Sequence, residues 1–439
     1  MFRIGVVVPS WHYWENPFKL QPLWELYYAT VLEKEFSEKG HHQVELIDLR
    51  GLRGETLPER VREIPGHDVF MYWIMKSGDS VEIKGIVDLL RRQFPSSLHV
   101  AGGTHVDMCT EECIKIFDAV VVGPGEHSLT QLIRDIEAGD LKMIYRQKYT
   151  EASFSHTPYP RREFLPESSI VNDLLFAQYG GVRGTSVHFS RGCAYKCGFC
   201  VYNVPGFFQV RNPEMMKAEI TYLKDTYGVR GINFRDEVII LPNERLSTTL
   251  FNVLGESDVI WRGQTTTMAT DQQLIRAGES GCQELAIGVE TVDDQVMKII
   301  NKGWQTQTQI RHCIEQCQRI GIRIKMCLIF GLPGEPPDIV EKTMRFIEET
   351  KPDYVGLSGF CPVPGSPIFN NPGQYGIRYI DQDWSRHAHL LYRFGDQEEV
   401  GLPFEYEPEN RWGKTFSREQ IQRNIQEMQQ WLNERAMVY

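Results

Sequence analysis

The sequence predicts an α/β protein of three parts: an N-terminal doubly wound, Rossmann-like domain, a partial (β/α)6 barrel, and a small C-terminal α-containing region. Three observations predict it. Short apolar runs alternate with helix-length amphipathic segments, first over residues 1–145 and again over residues 182–374. Between the two alternations the periodicity fades, and Pro158, Pro160 and Pro166 among polar residues read as a linker over 146–181. At 439 residues the chain is also long for one core.

In the first alternation, strands are expected at Ile4–Val8, Val44–Leu49, Val69–Ile74, Leu98–Val100 and Ala119–Val122. Helices are expected at Leu23–Lys39, Val81–Arg92, Cys109–Ile116 and Leu129–Glu137. A doubly wound sheet takes its ligand beyond the carboxyl ends of its strands. Ser77-Gly78, Gly102-Gly103-Thr104-His105 and Gly123-Pro124-Gly125-Glu126 all fall at that edge. Each alone reads as a tight turn. Three at one edge read as a place where backbone approaches a ligand, since glycine has no side chain to hold it off. The loop Ser10–Asn16, with Trp11, His12, Tyr13 and Trp14, belongs to the same edge, either as a ligand cover or as packing under the first crossover.

In the second alternation, strands are expected at Thr185–Ser190, Gly231–Phe234, Val259–Gln264, Glu284–Val289, Ile322–Ile329 and Tyr354–Gly359. The clearest helices between them are Pro213–Thr226, Asp271–Ser280, Thr306–Ile320 and Asp338–Glu349. Six such units make part of a TIM-type barrel, in which active sites sit at the carboxyl ends of the strands. Immediately after the first strand stands Arg191-Gly192-Cys193-Ala194-Tyr195-Lys196-Cys197-Gly198-Phe199-Cys200. A tight loop at C-x3-C-x2-C spacing can turn three thiolates toward one point, and thiolates are the usual protein ligands of iron–sulfur clusters. Three of them leave one iron of a four-iron cluster open, as catalytic metal sites are. A structural zinc is the alternative, but zinc takes a fourth ligand, and the nearest histidine, His188, falls inside the predicted strand.

This stretch, with the aromatic Phe199 before its last cysteine, resembles the radical S-adenosylmethionine superfamily. The resemblance implies a [4Fe-4S] cluster on Cys193, Cys197 and Cys200, with S-adenosylmethionine chelating the open iron. Reductive cleavage of its sulfonium then releases a 5′-deoxyadenosyl radical, while the protein supplies orientation and exclusion. An electron donor such as flavodoxin or ferredoxin and a small-molecule substrate are implied with it. Further cofactor contacts follow by position: Phe199, Asp236 and Glu237 after the second strand, Glu290 in Gly288-Val289-Glu290-Thr291, and Gly331 and Glu335 in Phe330-Gly331-Leu332-Pro333-Gly334-Glu335. Each carboxylate alone also reads as a helix-terminus cap. Where relatives often carry Arg-x-Asp, this chain has Gln264-Thr265-Thr266-Thr267.

Residues 1–145 are similar to the cobalamin-binding domain that precedes the barrel in many members of the superfamily. The likeness rests on Gly102-Gly103-Thr104-His105 and Gly123-Pro124-Gly125-Glu126, with Ser77 beside them. It implies cobalamin as a cofactor and an activity like that of the class B methyltransferases, the methylation of an unactivated carbon in a small molecule or natural-product intermediate. The string Asp-x-His-x-x-Gly, which supplies a lower cobalt ligand, is missing, so cobalamin is expected to bind without a protein histidine. The alternatives are a cobalamin-dependent cyclase or oxidoreductase, a cobalamin-free radical enzyme with a vestigial sheet domain, and a non-enzymatic metal protein. Methylthiotransferases carry a second set of three cysteines in this domain, where the present chain has only Cys109 and Cys113. No catalytic residue beyond the cofactor contacts is singled out.

Over residues 375–439 the clearest element is a helix from about Ser417 to Arg435. Ser417 and Gln420 form a capping box, and Ile421, Ile425, Met428 and Leu432 recur at helical spacing to pack on the barrel and close its open side. A formal net charge of −11 repels phosphate backbones, so nucleic acid is not expected as a partner. No run of about 18 apolar residues is present, so no membrane span is expected, and the N-terminus reads as a strand and not as a signal peptide. Ten scattered cysteines suit a cytoplasmic location.

Overall fold

The computed structural model describes residues 1–11, 17–19, 21–37, 40–51, 56–150, 154–201, 206–387 and 401–438. Most of the expected aromatic loop, residues 12–16, lies outside them. The chain forms two compact units, Met1–Asn172 with Gln209–Met215, and Asp173–Phe208 with Met216–Tyr439.

In the first unit, β1 (Arg3–Val8), β2 (Gln43–Asp48), β3 (Val69–Trp73), β4 (Leu98–Gly102), β5 (Ala119–Val122) and β6 (Ile144–Arg146) form one parallel sheet in the order β2-β1-β3-β4-β5-β6. The unbroken apolar run of β1 follows from burial on both faces. Ile4 and Val6 pack with Ala29, Leu32 and Leu132 of the helices Leu23–Leu32 and Gly125–Ala138. Val7 packs in the opposite layer with Ile83, Ile86 and Leu90 of the helix Ser77–Gln93. The strand order reverses at β1 and β3, the switch point at which doubly wound sheets bind ligands.

Two sequence expectations change here and one is filled in. A sixth strand, β6, follows the five expected; with only Tyr145 buried between exposed neighbours, it is too short to show a pattern. Of the expected linker over 146–181, residues 154–172 pack against this unit. Arg161 donates its backbone N–H to Thr30 Oγ1 at 2.8 Å and pairs with Glu33 at 2.5 Å, and Leu165 is buried. The expected helix Cys109–Ile116 is instead two short ones, Thr104–Met108 and Thr110–Cys113, because Cys109 lies outside helical geometry at φ −120°, ψ 38°.

The second unit opens with β7 (Gly184–Val187). The two-residue strands β8 (Ser190–Arg191) and β9 (Gln209–Val210) lie outside both six-stranded sheets. Then follow β10 (Gly231–Phe234), β11 (Ile260–Thr265), β12 (Cys282–Glu290), β13 (Arg323–Phe330) and β14 (Tyr354–Gly359). They pair in parallel in the order β14-β13-β12-β11-β10-β7, so each strand lies beside its predecessor in chain order and the outer strands β7 and β14 leave the sheet open. The first strand stops before the expected Ser190 because the backbone N–H groups of Phe189 and Ser190 turn to the carboxylate of Asp236.

The helix Arg418–Glu434 carries the expected capping box, buries Ile421, Ile425, Met428 and Leu432, and packs on β13 and β14. Just past it, Met437 accepts a hydrogen bond from Val355 N at 2.9 Å, on the outer edge of β14. Among the described residues no helix is long and apolar enough to cross a membrane.

Candidate functional site

The cysteine loop leaves β7 at the carboxyl edge of the second sheet and is anchored from below by the end of β10. Asp236 there is completely buried. Its oxygens accept from Phe189 N at 3.2 Å, from Ser190 Oγ at 2.7 Å and from Ser190 N. Burial pushes its carboxyl up to about 6 against the lowering effect of these bonds. The expected cofactor contact is therefore turned inward, with the backbone of the loop as its partner. Half-buried Glu237 accepts from Gly192 N and is pushed up to about 8, by burial first and then by the Asp236 charge.

The turn after the helix Asp294–Ile299, together with Ile368 past β14, holds the loop from the other side. Gly198 N donates to Ile300 O at 2.7 Å, Asn301 Nδ2 donates to Lys196 O at 2.5 Å, and Ile368 N donates to Gly198 O at 2.9 Å. Tyr195 stacks on Trp304 with ring centroids 4.5 Å apart. A Cβ on Gly198 would sit 3.2 Å from Ile300 O, so glycine allows the close approach.

Between loop and turn lies a buried ion pair. Lys302 Nζ is 3.0 Å from Glu290 Oε1 and also donates to Gly288 O. Glu290 ends β12 at φ +66°, past a register shift between Gly288 and Glu290. The shift folds its carboxylate back over Gly288, where any side chain would meet Oε1. A non-glycine residue in this conformation is sparsely populated and concentrates at functional sites. Gln305 joins the strand ends, donating to Val289 O at 2.9 Å and accepting from Thr267 Oγ1 at 3.0 Å.

Cys193, Cys197 and Cys200 are half-buried and not joined in disulfides, and Phe199 between them is half-buried too. Burial pushes the Cys193 thiol up to about 11 and the Cys197 thiol also up, while the Lys302 cation pulls both down. A nearby cation favours thiolate, so the donor set fits an anionic thiolate-bound cluster. The sequence motifs do not mark Lys302, Trp304, Asn301 and Gln305; the signal present is a turn of Asn-Lys-Gly-Trp after the helix Asp294–Ile299.

Glu335 is likewise turned inward. It accepts from Gly331 N at 3.0 and 2.9 Å and from Leu332 N at 3.0 Å, and burial pushes it up to about 8. Gly331, at φ +90°, is held on its carbonyl side by Tyr406 OH at 2.8 Å.

The first unit has its own site. At the carboxyl edge of β1, β3, β4 and β5, on the face covered by Leu23–Leu32 and Gly125–Ala138, lies a narrow cleft. Its walls include Val6, Met71, Val100, Val121, Tyr28 and Glu25. Gly102, Gly103, Gly123 and Gly125 line it too, whereas Ser77, Thr104, His105 and Glu126 do not. Buried His105 places Nδ1 3.1 Å from Ser77 Oγ and stands with Cys109 and Glu112, and Glu126 accepts from Tyr27 OH at 2.9 Å. The glycines also answer to the fold. A Cβ on Gly103, at φ +107°, would lie 2.6 Å from Ile74 O, and one on Gly123 would collide with Gln147 O.

The sequence pattern of the Radical SAM superfamily matches residues 187–347. Over 372 residues the chain is 25% identical to the uncharacterized methyltransferase PH0819 of Pyrococcus horikoshii, covering 79% of this chain and 77% of that protein. Over 321 residues it is 22% identical to the bacteriochlorophyllide d C-8(2)-methyltransferase of Chlorobaculum tepidum, covering 70% and 69%. The fold is similar to that of the radical S-adenosylmethionine methyltransferase TsrM from Kitasatospora setae, solved with cobalamin and a [4Fe-4S] cluster bound. The TM-score is 0.63 at 16% identity, over 83% of this chain and 73% of that one.

Proposed function

We propose that this chain, a radical S-adenosylmethionine superfamily enzyme by its residues 187–347, is a cobalamin-dependent C-methyltransferase acting on an unactivated carbon of a small molecule. The observation that carries the reading is the presence, in one chain, of a three-thiolate loop at the carboxyl edge of one parallel sheet and a glycine-edged cleft at the carboxyl edge of another. The methyltransferase names of its relatives agree with it.

When bound, a [4Fe-4S] cluster with S-adenosylmethionine supplies radical generation, and cobalamin supplies a transferable methyl group. The chain's residues take defined parts. Cys193, Cys197 and Cys200 hold the cluster. Asp236 fixes the base of their loop through Phe189 and Ser190. Lys302 lowers the thiols and keeps Glu290 in place at the rim. The cleft walled by Val6, Val100 and Val121 receives the nucleotide tail of cobalamin. An external electron donor such as flavodoxin or ferredoxin and a reducing cytoplasm complete the reading, in keeping with ten cysteines none of which is in a disulfide.

The test is anaerobic purification with cobalamin supplied, followed by identification of bound cofactors by spectroscopy and mass analysis. The expected result is iron, sulfide and cobalamin on one chain, with 5′-deoxyadenosine formed on adding S-adenosylmethionine and a strong reductant. Cluster-loaded protein that cleaves no S-adenosylmethionine would overturn the radical reading. Cleavage without any cobalamin binding would overturn the cobalamin part.

A further inference from the structure

We infer that Glu25 donates a hydrogen bond from its carboxyl group, inside the cleft of the first unit, to a ring nitrogen of the heteroaromatic base on a corrinoid's nucleotide tail. The inference rests on the cobalamin reading above.

Glu25 is the third residue of the helix Leu23–Leu32, and only 2% of it is exposed. It lines the cleft among Val6, Met71, Val100, Val121 and Leu129. Among the described residues, the only hydrogen-bond partner its carboxyl meets is its own backbone amide. An ionised carboxylate without a counter-ion is strongly disfavoured in such surroundings. Arg50 is no counter-ion for it, since its guanidinium is engaged with both oxygens of Asp48 at 2.8 Å. Burial therefore pushes Glu25 up to about 8, with Asp79 and Asp48 acting in the same direction and Arg50 against. A protonated carboxyl is a hydrogen-bond donor.

The lining selects among the groups of the ligand. Among the described residues no lysine, arginine or histidine is in it, so a phosphate finds no cationic side chain there. A corrin amide brings several donors and acceptors, which one carboxyl cannot satisfy. A flat base with a single lone-pair nitrogen matches one donor between apolar walls and the ring of Tyr28.

The experiment is equilibrium binding of hydroxocobalamin and of cobinamide, which lacks the nucleotide tail, to the full chain at pH 6.5 and pH 9.5. The titratable and charged groups facing Glu25 are Arg50, Asp48, Asp79, Tyr28 and Tyr72. The parent is expected to prefer cobalamin at pH 6.5 and to lose much of that preference at pH 9.5, where the donor is gone. Glu25→Gln, which keeps an N–H donor that does not titrate, is expected to hold its preference at both pH values. Glu25→Leu is expected to cut the preference about tenfold, roughly 1.4 kcal/mol, with cobinamide affinity unchanged. Equal preference in parent and Glu25→Leu, or a loss shared by both corrinoids, overturns the inference and leaves the cobalamin reading standing. Parent protein that binds neither corrinoid overturns both. If Glu25→Leu does not fold, the pH comparison of parent and Glu25→Gln decides, and an identical pH response in the two overturns the inference.

Discussion

Replacing Glu290 by Gln removes the charge facing Lys302 while keeping the side chain's shape. Lys302 is 4% and Glu290 14% exposed in their side chains. Breaking one partner of a buried ion pair costs about 3–5 kcal/mol. Lys302 keeps Gly288 O and lies 5.4 Å from the ring centroid of Trp304, so the low end, about 3 kcal/mol, applies. With Tm moving about 2–4 °C per kcal/mol in domains of 150–250 residues, melting should fall by roughly 6–12 °C. Lys302→Met should cost a similar amount, since it leaves a buried carboxylate unpaired. The double variant removes both charges and should melt well above the sum of the two losses. The assay is anaerobic thermal unfolding of all four proteins as a double-mutant cycle. Losses that add to within about 0.5 kcal/mol would refute the coupling. Lys302→Met should also slow cluster assembly, because both thiols would lose the cation that lowers them.

Ala at Cys193, Cys197 or Cys200 should remove the brown chromophore or make it unstable, since a three-thiolate site has no spare ligand; full iron and sulfide in a triple variant after anaerobic reconstitution would contradict this. Asp236→Ala leaves the amides of Phe189 and Ser190 without their acceptor, at about 1–3 kcal/mol each, and should shorten the lifetime of the cluster although no ligand is lost; an unchanged bleaching rate would contradict the anchoring role. Glu335, held up at about 8 against an ordinary 4.5, binds its proton more tightly folded than unfolded. Its contribution is complete below pH 4.5 and is lost as pH rises through 8, so parent stability should decline over that window more than that of Glu335→Gln, as followed by urea unfolding at several pH values.

The strand alternation and the cysteine spacing were legible in the sequence because both are local patterns. What faces what was not. Lys196 and Asn301 meet across 105 residues, and only the register of six strands brings them together. Asp236, Glu290 and Glu335 look alike as carboxylates at strand ends, yet Asp236 and Glu335 bind backbone amides and Glu290 binds a cation. Composition cannot separate these outcomes, since all three suit a strand-to-helix turn. Glu25 reads as an ordinary first-turn acid of a helix, and only the cleft beside it gives it a chemical part. Gly103 lines the same cleft, where a bulky residue would stand in the way of a ligand. Its missing Cβ faces the backbone of Ile74, so such a change disturbs the sheet itself.

The clip of Met437 and Val438 onto Val355 has a consequence in time. Strand β14 is made well before the residues that cover its outer edge. At about 5–20 residues per second, the roughly eighty residues between them take about 4–16 s to synthesise. Throughout that interval the nascent sheet presents an unpaired strand, the kind of template that recruits other chains. Slowing translation between residues 359 and 437 should therefore lower the yield of soluble chain, and the same delay placed before β14 should not.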